Sequence, residues 1–131
     1  MANAARVVRA MLDAVLRGDG EGAMACVHRD IVVIEPASLP YGGVYHGKEE
    51  FRDKVYASIL GKFTIAIGRC ELLRMDEKVA ASMDITFASL KTGTKIAMPY
   101  VEIYTVRDGA ICHLDVYPQD TKTLLDFWNA N

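Results

Sequence analysis

The spacing of hydrophobic positions changes once along the chain, close to residue 62. Before this point apolar side chains recur every three or four residues, which is the repeat of an amphipathic helix. After it they alternate with polar side chains, which is the repeat of a half-buried strand. The first part predicts three helices, over about 3–17, 19–27 and 47–60. Between the second and third helices, the β-branched run Ile31–Ile34 predicts a short strand.

The segment between this strand and the third helix is predicted to be a loop. Residues 36–46 contain two prolines and the pair Gly42-Gly43. Proline cannot donate a hydrogen bond to a strand ladder, and it disfavours helical conformation in the residue before it. The strand is therefore expected to stop at Glu35.

The second part of the chain predicts four antiparallel strands that begin at Phe63. Gly68 interrupts the alternation, and the apolar positions resume in a shifted phase, which predicts a bulge. Asp108-Gly109 separates the last two strands, and this dipeptide favours the positive φ angles of a tight two-residue turn. Helical spacing returns at Thr121. The apolar side of this last helix consists of Leu124, Leu125, Phe127 and Trp128.

This order of elements predicts an α+β fold in which helices pack on one face of a curved antiparallel sheet. The order is helix, helix, strand, helix, four strands and a short helix. No repeat and no linker interrupts the pattern, so residues 1–131 are predicted to form a single domain.

The predicted hairpin brings chemically active side chains together. With a two-residue turn, Glu102 faces Asp115 and Tyr104 faces His113, and all four side chains point to the same face of the sheet. Burying two carboxyls, an imidazole and a phenol on one face is costly, which indicates a functional site. A shift of one residue in the pairing would instead place Glu102 and Asp115 on opposite faces.

Composition narrows the classes of function. The chain has 131 residues with a net charge of −2 and no basic cluster, so nucleic acid is not an expected partner. No apolar run is long enough to span a membrane, and Arg6 and Arg9 interrupt any signal-peptide core. The three cysteines are widely spaced and show no metal-ligand or disulfide pattern. We therefore expect a cytoplasmic protein with reduced thiols and without a metal or cofactor.

Several local motifs resemble the nuclear-transport-factor-two-like superfamily, whose members include ketosteroid isomerase, SnoaL-type polyketide cyclases and limonene epoxide hydrolase. The motifs are Arg17-Gly-Asp-Gly-Glu-Gly-Ala, Ile34-Glu-Pro, Tyr41-Gly-Gly-Val-Tyr-His-Gly-Lys-Glu and Val106-Arg-Asp-Gly-Ala-Ile-Cys-His-Leu-Asp-Val-Tyr. The resemblance covers nearly the whole chain. It implies a cone-shaped sheet with three N-terminal helices on its concave face and a short C-terminal helix. It also implies a homodimer, because these folds often pair through the outer face of the sheet.

The resemblance also implies roles for three acidic residues. Glu35 stands where ketosteroid isomerases carry their general base, and Glu102 where they carry the protonated aspartate of the oxyanion hole. Asp115 stands where the cyclases and epoxide hydrolases place a catalytic aspartate on the last strand. Two parts are missing: the isomerase's oxyanion tyrosine corresponds to about Ala10, and the epoxide hydrolase's arginine has no clear counterpart.

The predicted catalytic residues are thus Glu35, Glu102, Asp115 and His113. Glu102 shares its strand face with apolar and aromatic side chains, which would raise its pKa; a salt-bridged edge position is the alternative. His113 would relay a proton or hold a water, or be only a satisfied polar residue. Glu35 would otherwise be an exposed loop carboxylate.

Aromatic residues complete the predicted site. Tyr41 and Tyr45 flank the Gly-Gly pair and are expected to line the rim of a pocket and donate hydrogen bonds to a ligand, with loop packing as the alternative. Tyr100 and Tyr104 share the face of Glu102. Trp128 is expected at the open end of the cone, where it closes the core or contacts the ligand.

The prediction for function is a cofactor-independent acid–base enzyme that acts on a small, apolar, oxygenated molecule. The reaction would be isomerisation or cyclisation by proton transfer beside a carbonyl. Two alternatives stay open. One is water activation of the epoxide hydrolase type, and the other is a non-catalytic ligand-binding or dimerisation domain.

Overall fold

The computed structural model describes residues 3–131, and its elements follow the predicted order with one strand added. The helices are α1 (Ala4–Leu16), α2 (Gly20–Ala25), α3 (48–60) and α4 (Thr121–Ala130). The strands are β1 (Val27–Glu35), β2 (Gly43–His46), β3 (Phe63–Met75), β4 (Lys78–Ser89), β5 (Lys95–Arg107) and β6 (Ala110–Pro118).

The six strands form one curved open sheet in the order β2-β1-β6-β5-β4-β3. Neighbours are antiparallel except β1 and β6, which run parallel. Helix α1 lies against β3, β4, β5 and β6 and buries Val8, Met11 and Leu12. We call the face that α1 covers the inner face and the opposite face the outer face. The α+β prediction is confirmed.

The added strand lies in the segment that was predicted to be a loop. Gly43–His46 pairs with the end of β1, from Val32 to Glu35. Four residues beginning with a glycine at φ +122° carry no strand pattern of their own, so the pairing with β1 decides their conformation. The second helix is shorter than predicted, because Val27 begins β1 instead of ending α2.

The loop before β2 depends on Gly42. A Cβ atom there would overlap the Pro36 carbonyl oxygen and lie 2.8 Å from that of Leu39. The chain turns this tightly because the Gly42 N–H donates to the Leu39 oxygen at 2.8 Å. Only glycine fits this position, and the turn fixes the path of the chain directly after Glu35.

Both predicted irregularities in the strands are confirmed. The pairing of β3 with β4 shifts between Ile67 and Cys70, which is the bulge expected at Gly68. Asp108 and Gly109 have φ angles of 52° and 75°, as the two-residue turn requires.

The predicted register of the hairpin is wrong beyond its first residues. Next to the turn Val106 pairs with Ile111, but the following pair joins Thr105 to His113 and leaves Cys112 as an extra residue. This bulge shifts the rest of the ladder by one position. Glu102 therefore faces Val116 and Tyr104 faces Leu114, while Asp115 faces Ile103. Glu102 and Tyr104 point to the inner face, and His113 and Asp115 point to the outer face.

Among residues 3–131, no helix is long and apolar enough to cross a membrane. The cytoplasmic location stays a prediction.

Candidate active site

A cavity of about 100 Å³ lies between the inner face of the sheet and the helices α1 and α3. Most of its wall is apolar, with side chains from both helices and from β3, β4 and β6. Its polar residues are Glu35, Tyr56, Glu102 and Tyr104. Two carboxyls and two phenols in an apolar wall are the kind of convergent polar groups that mark ligand sites.

Strand pairing places Glu35 and Glu102 at the same level of the sheet. On one side of β6, Val116 pairs with Glu102 of β5. On the other side of β6, Asp115 pairs with Ile34 of the parallel strand β1, so the next residues, Val116 and Glu35, also lie side by side. Glu35 and Glu102 therefore flank Val116 in one row across three strands, with backbones roughly 10 Å apart. Both side chains line the cavity, so they approach each other from the two sides of that row.

Burial disfavours the charged form of both carboxyls. Glu35 is only 7% exposed. Burial raises the pKa of Glu35 well above its usual value, and the nearby charge of Glu102 raises it further. Burial also raises the pKa of Glu102. The two groups therefore favour a state in which at least one of them is protonated.

Tyr104 distinguishes the two carboxyls. Its hydroxyl donates a hydrogen bond of 2.6 Å to Oε1 of Glu102. A donor stabilises the ionised form, so this bond lowers the pKa of Glu102 and opposes the effect of burial. Glu35 receives the larger upward shift of pKa, because burial and the charge of Glu102 act in the same direction. The geometry thus favours a carboxylate at Glu102 and a carboxylic acid at Glu35.

Tyr41 and Tyr100 are buried close to the two carboxyls. Burial raises the pKa of Tyr41, and the charge of Glu35 raises it further. Burial likewise raises the pKa of Tyr100, and the charges of Tyr41 and Glu35 raise it further. Both hydroxyls therefore stay protonated. Trp128 packs on Tyr41, with ring centroids 5.2 Å apart, and so holds this tyrosine from the side of α4.

The structure gives Tyr45 a role in the loop. Its hydroxyl donates to the carbonyl oxygens of Tyr41 and Gly42 at 3.0 and 3.1 Å. These bonds tie β2 to the turn after Glu35. The loop-packing alternative therefore describes the geometry of Tyr45.

His113 and Asp115 do not join this cavity. They pair with each other on the outer face, with Nε2 of His113 3.1 Å from Oδ1 of Asp115. Because the sheet lies between them and the cavity, neither side chain faces Glu102, contrary to the predicted register. The inward-pointing neighbours on β6 are Leu114 and Val116.

Tyr56 lines the cavity, although it is not among the predicted site residues. The apolar spacing of residues 47–60 predicts a buried helical stripe of Phe51, Val55 and Ile59, without Tyr56. Residues Phe51–Tyr56 are π-helical, with hydrogen bonds between residues i and i+5, and Tyr56 lines the same cavity as Phe51, five residues earlier. A π-helical turn has no distinctive sequence pattern, and the one local signal for Tyr56 is its place directly beside a buried residue of the stripe.

Comparison with known proteins agrees with the architecture. The family model of the SnoaL-like domain matches residues 8–114. A search of curated proteins finds no match. A candidate polyketide cyclase from Xanthomonas campestris pv. campestris is 18% identical with a TM-score of 0.84, and the alignment covers 94% of each chain. An NTF2-like protein from Burkholderia thailandensis is 20% identical with a TM-score of 0.82, covering 100% of this chain and 99% of that one.

A third solved structure, TerC co-crystallised with polyporic acid, is 20% identical with a TM-score of 0.79 and covers 94% of this chain and 95% of that one. At these identities the likeness shows a shared fold.

Proposed function

The chain belongs to the family of SnoaL-like domains, within the nuclear-transport-factor-two-like superfamily, and we propose that it is a cofactor-independent acid–base enzyme. It moves a proton beside a carbonyl group of a small, largely apolar, oxygenated molecule. The observation that carries this proposal is the pair Glu35 and Glu102, which enter one apolar cavity from the same row of the sheet. Proton transfer needs a base and an acid whose pKa values lie near neutrality, and burial moves both carboxyls in that direction.

The hydrogen bond from Tyr104 supports different roles for the two carboxyls. Glu102, held as a carboxylate, takes a proton from the carbon beside the substrate carbonyl. Glu35, protonated, donates a hydrogen bond to the carbonyl oxygen as the enolate forms. Return of the proton from Glu102 to another carbon gives the isomer, and no co-reactant is consumed. This order reverses the roles that the resemblance implied for Glu35 and Glu102.

The cavity and the structural neighbours support a small organic substrate. An apolar cavity of about 150 Å³ is known to hold benzene. The cavity here, of about 100 Å³, therefore suits a group no larger than a single ring. Candidate polyketide cyclases stand among the structural neighbours, and TerC was co-crystallised with polyporic acid. The named cyclases favour a carbonyl-bearing molecule as the substrate.

The proposal is tested with a model ketone. Cyclohex-3-enone becomes cyclohex-2-enone when a proton leaves C2, beside the carbonyl, and a proton is added to C4, so that the double bond moves from C3–C4 to C2–C3. The conjugated product absorbs in the ultraviolet. We expect the protein to accelerate this conversion, and to speed deuterium uptake beside the carbonyl of cyclohexanone. Both rates are compared with those in buffer containing heat-denatured protein.

The outcomes separate the remaining functions. Ketone binding without isomerisation or exchange would support a non-catalytic binding domain and would contradict the enzyme. Hydrolysis of cyclohexene oxide without ketone isomerisation would support water activation of the epoxide hydrolase type.

We also propose that the protein forms a homodimer through the outer face, as the resemblance implies. Apolar side chains on four adjacent strands lie exposed there: Val44, Ile34, Tyr117 and Val101. An exposed apolar patch across neighbouring strands is typical of an interface. Sedimentation velocity is expected to show a dimer, and Val101→Lys should convert it to a monomer. A wild-type monomer at high concentration would refute the proposal.

A further inference from the structure

The hydroxyl of Tyr56 is buried without a hydrogen-bond partner. Among residues 3–131 it is the only buried side-chain nitrogen or oxygen for which this is true. A buried hydroxyl that leaves water without gaining a partner destabilises the fold, and most such groups in proteins find one. A tyrosine in this state points to a partner that arrives from outside the protein.

Tyr56 forms the wall between two spaces. On one side it lines the cavity with Glu35 and Glu102. On the other side it lines a surface groove of about 490 Å³ between α2 and α3, to which Met24, Lys48 and Arg52 also contribute. Tyr56 is also the last residue of the π-helical turn Phe51–Tyr56, a geometry that often occurs at functional sites.

Size makes contact between a ligand and Tyr56 unavoidable. The cavity of about 100 Å³ is smaller than the apolar cavity of about 150 Å³ that holds benzene. A six-membered ring that reaches the two carboxyls therefore fills the cavity up to the Tyr56 wall, or displaces that wall toward the groove. Either way the ligand contacts the Tyr56 side chain, which carries the unpartnered hydroxyl.

We propose that the Tyr56 hydroxyl donates a hydrogen bond to a second oxygen of the ligand. The site then selects ring compounds with two oxygens, one for Glu35 and Glu102 and one for Tyr56. This inference rests on the proposed function for the position of the first oxygen. Burial raises the pKa of Tyr56, and the charge of Asp19 raises it further, so the hydroxyl stays a donor.

The test compares two ketones that differ by one oxygen. Cyclohexanone and cyclohexane-1,4-dione are titrated into the protein, and binding is followed by the NMR signals of the backbone amides of α3. The dione has two equivalent carbonyls, so statistics alone favour it about twofold; a hydrogen bond to Tyr56 should raise the preference to about tenfold. In Tyr56→Phe the preference should return to about twofold, while the affinity for cyclohexanone stays unchanged.

Tyr117→Phe is the matched control, because it makes the same change on the outer face, with the sheet between it and the cavity. It should keep the preference of the wild type. Equal affinity losses for both ketones in Tyr56→Phe, a preference that survives this substitution, or no binding of either ketone would overturn the proposal.

A second measurement uses the protein alone. If the hydroxyl has no partner, Tyr56→Phe should unfold at the same temperature as the wild type or above it. A midpoint several degrees lower would mean that the hydroxyl already has a partner, such as a bound water, and would contradict the inference. Neither measurement requires turnover. If the protein does not isomerise ketones but Tyr56→Phe loses the dione preference, Tyr56 is still a ligand contact and only the proposed reaction is wrong. If the wild type isomerises ketones but Tyr56→Phe keeps the preference, the proposed reaction stands and only the contact with Tyr56 is wrong.

Discussion

Replacing Glu102 by glutamine is expected to lower kcat for the isomerisation of cyclohex-3-enone by a factor of about 10² to 10⁴, the usual contribution of a positioned general base. The glutamine amide has the same shape and can still accept the hydrogen bond from Tyr104, but it cannot take a proton. The ketone should therefore bind about as well as before while the chemical step slows. Initial rates across a range of ketone concentrations separate kcat from KM.

Asp115→Asn provides the control for this variant. It makes the same chemical change, from carboxyl to amide, one residue away from the cross-strand partner of Glu102 but on the outer face. We expect its kcat to stay close to that of the wild type. Equal losses in the two variants would place the chemistry on the outer face or indicate damage to the hairpin. Full activity in Glu102→Gln would remove Glu102 as the base.

The hairpin shows how far the sequence alone could lead. The turn at Asp108-Gly109 and the inward position of Glu102 and Tyr104 followed from local signals, because a turn dipeptide and a strand alternation act over a few residues. The register of β6 depended on one extra residue at Cys112. An uninterrupted strand would have buried His113 and Asp115.

A signal for that bulge was present in the sequence. The buried positions of β6 are Ile111, Leu114 and Val116, so the spacing between them is three and then two. A spacing of three within an alternating strand is the same change of phase that predicted the bulge at Gly68. The apolar pattern of β6 thus favoured the bulge, whereas the pairing of its polar residues with Glu102 and Tyr104 assumed an unbroken ladder.

Other parts of the site depended on contacts between distant segments. Glu35 and Glu102 lie on either side of Val116 only because β1 runs parallel to β6. No local sequence pattern in β1 reveals this strand pairing. The inward position of Glu35 came from the resemblance, not from the residues around it. The hydrogen bond between Tyr104 and Glu102, on which the proposed roles of the two carboxyls rest, joins residues i and i+2 on one strand face. Only the side-chain geometry shows it.

Replacing Glu35 by glutamine is expected to stabilise the protein above neutral pH while it removes activity. The pKa of Glu35 is raised in the folded protein, so the unfolded chain loses this proton at a lower pH than the folded one. The contribution of Glu35 to stability therefore falls as pH rises from the unfolded pKa, near 4.5, through the raised folded pKa, and is constant above it. Each unit by which the pKa is raised corresponds to about 1.4 kcal/mol.

Urea denaturation of the wild type and Glu35→Gln between pH 4 and pH 9 measures this difference. The two proteins should have similar free energies of unfolding at pH 4, where both carry a neutral side chain at this position, and the variant should be increasingly favoured as pH rises. Glu49→Gln makes the same change on an exposed side chain and should not reproduce the trend. A difference that does not vary with pH, or a variant that is less stable at pH 9, would show that the fold does not oppose ionisation of Glu35. Stability gained together with isomerisation lost would show instead that the buried acid is kept for its chemistry at the expense of the fold.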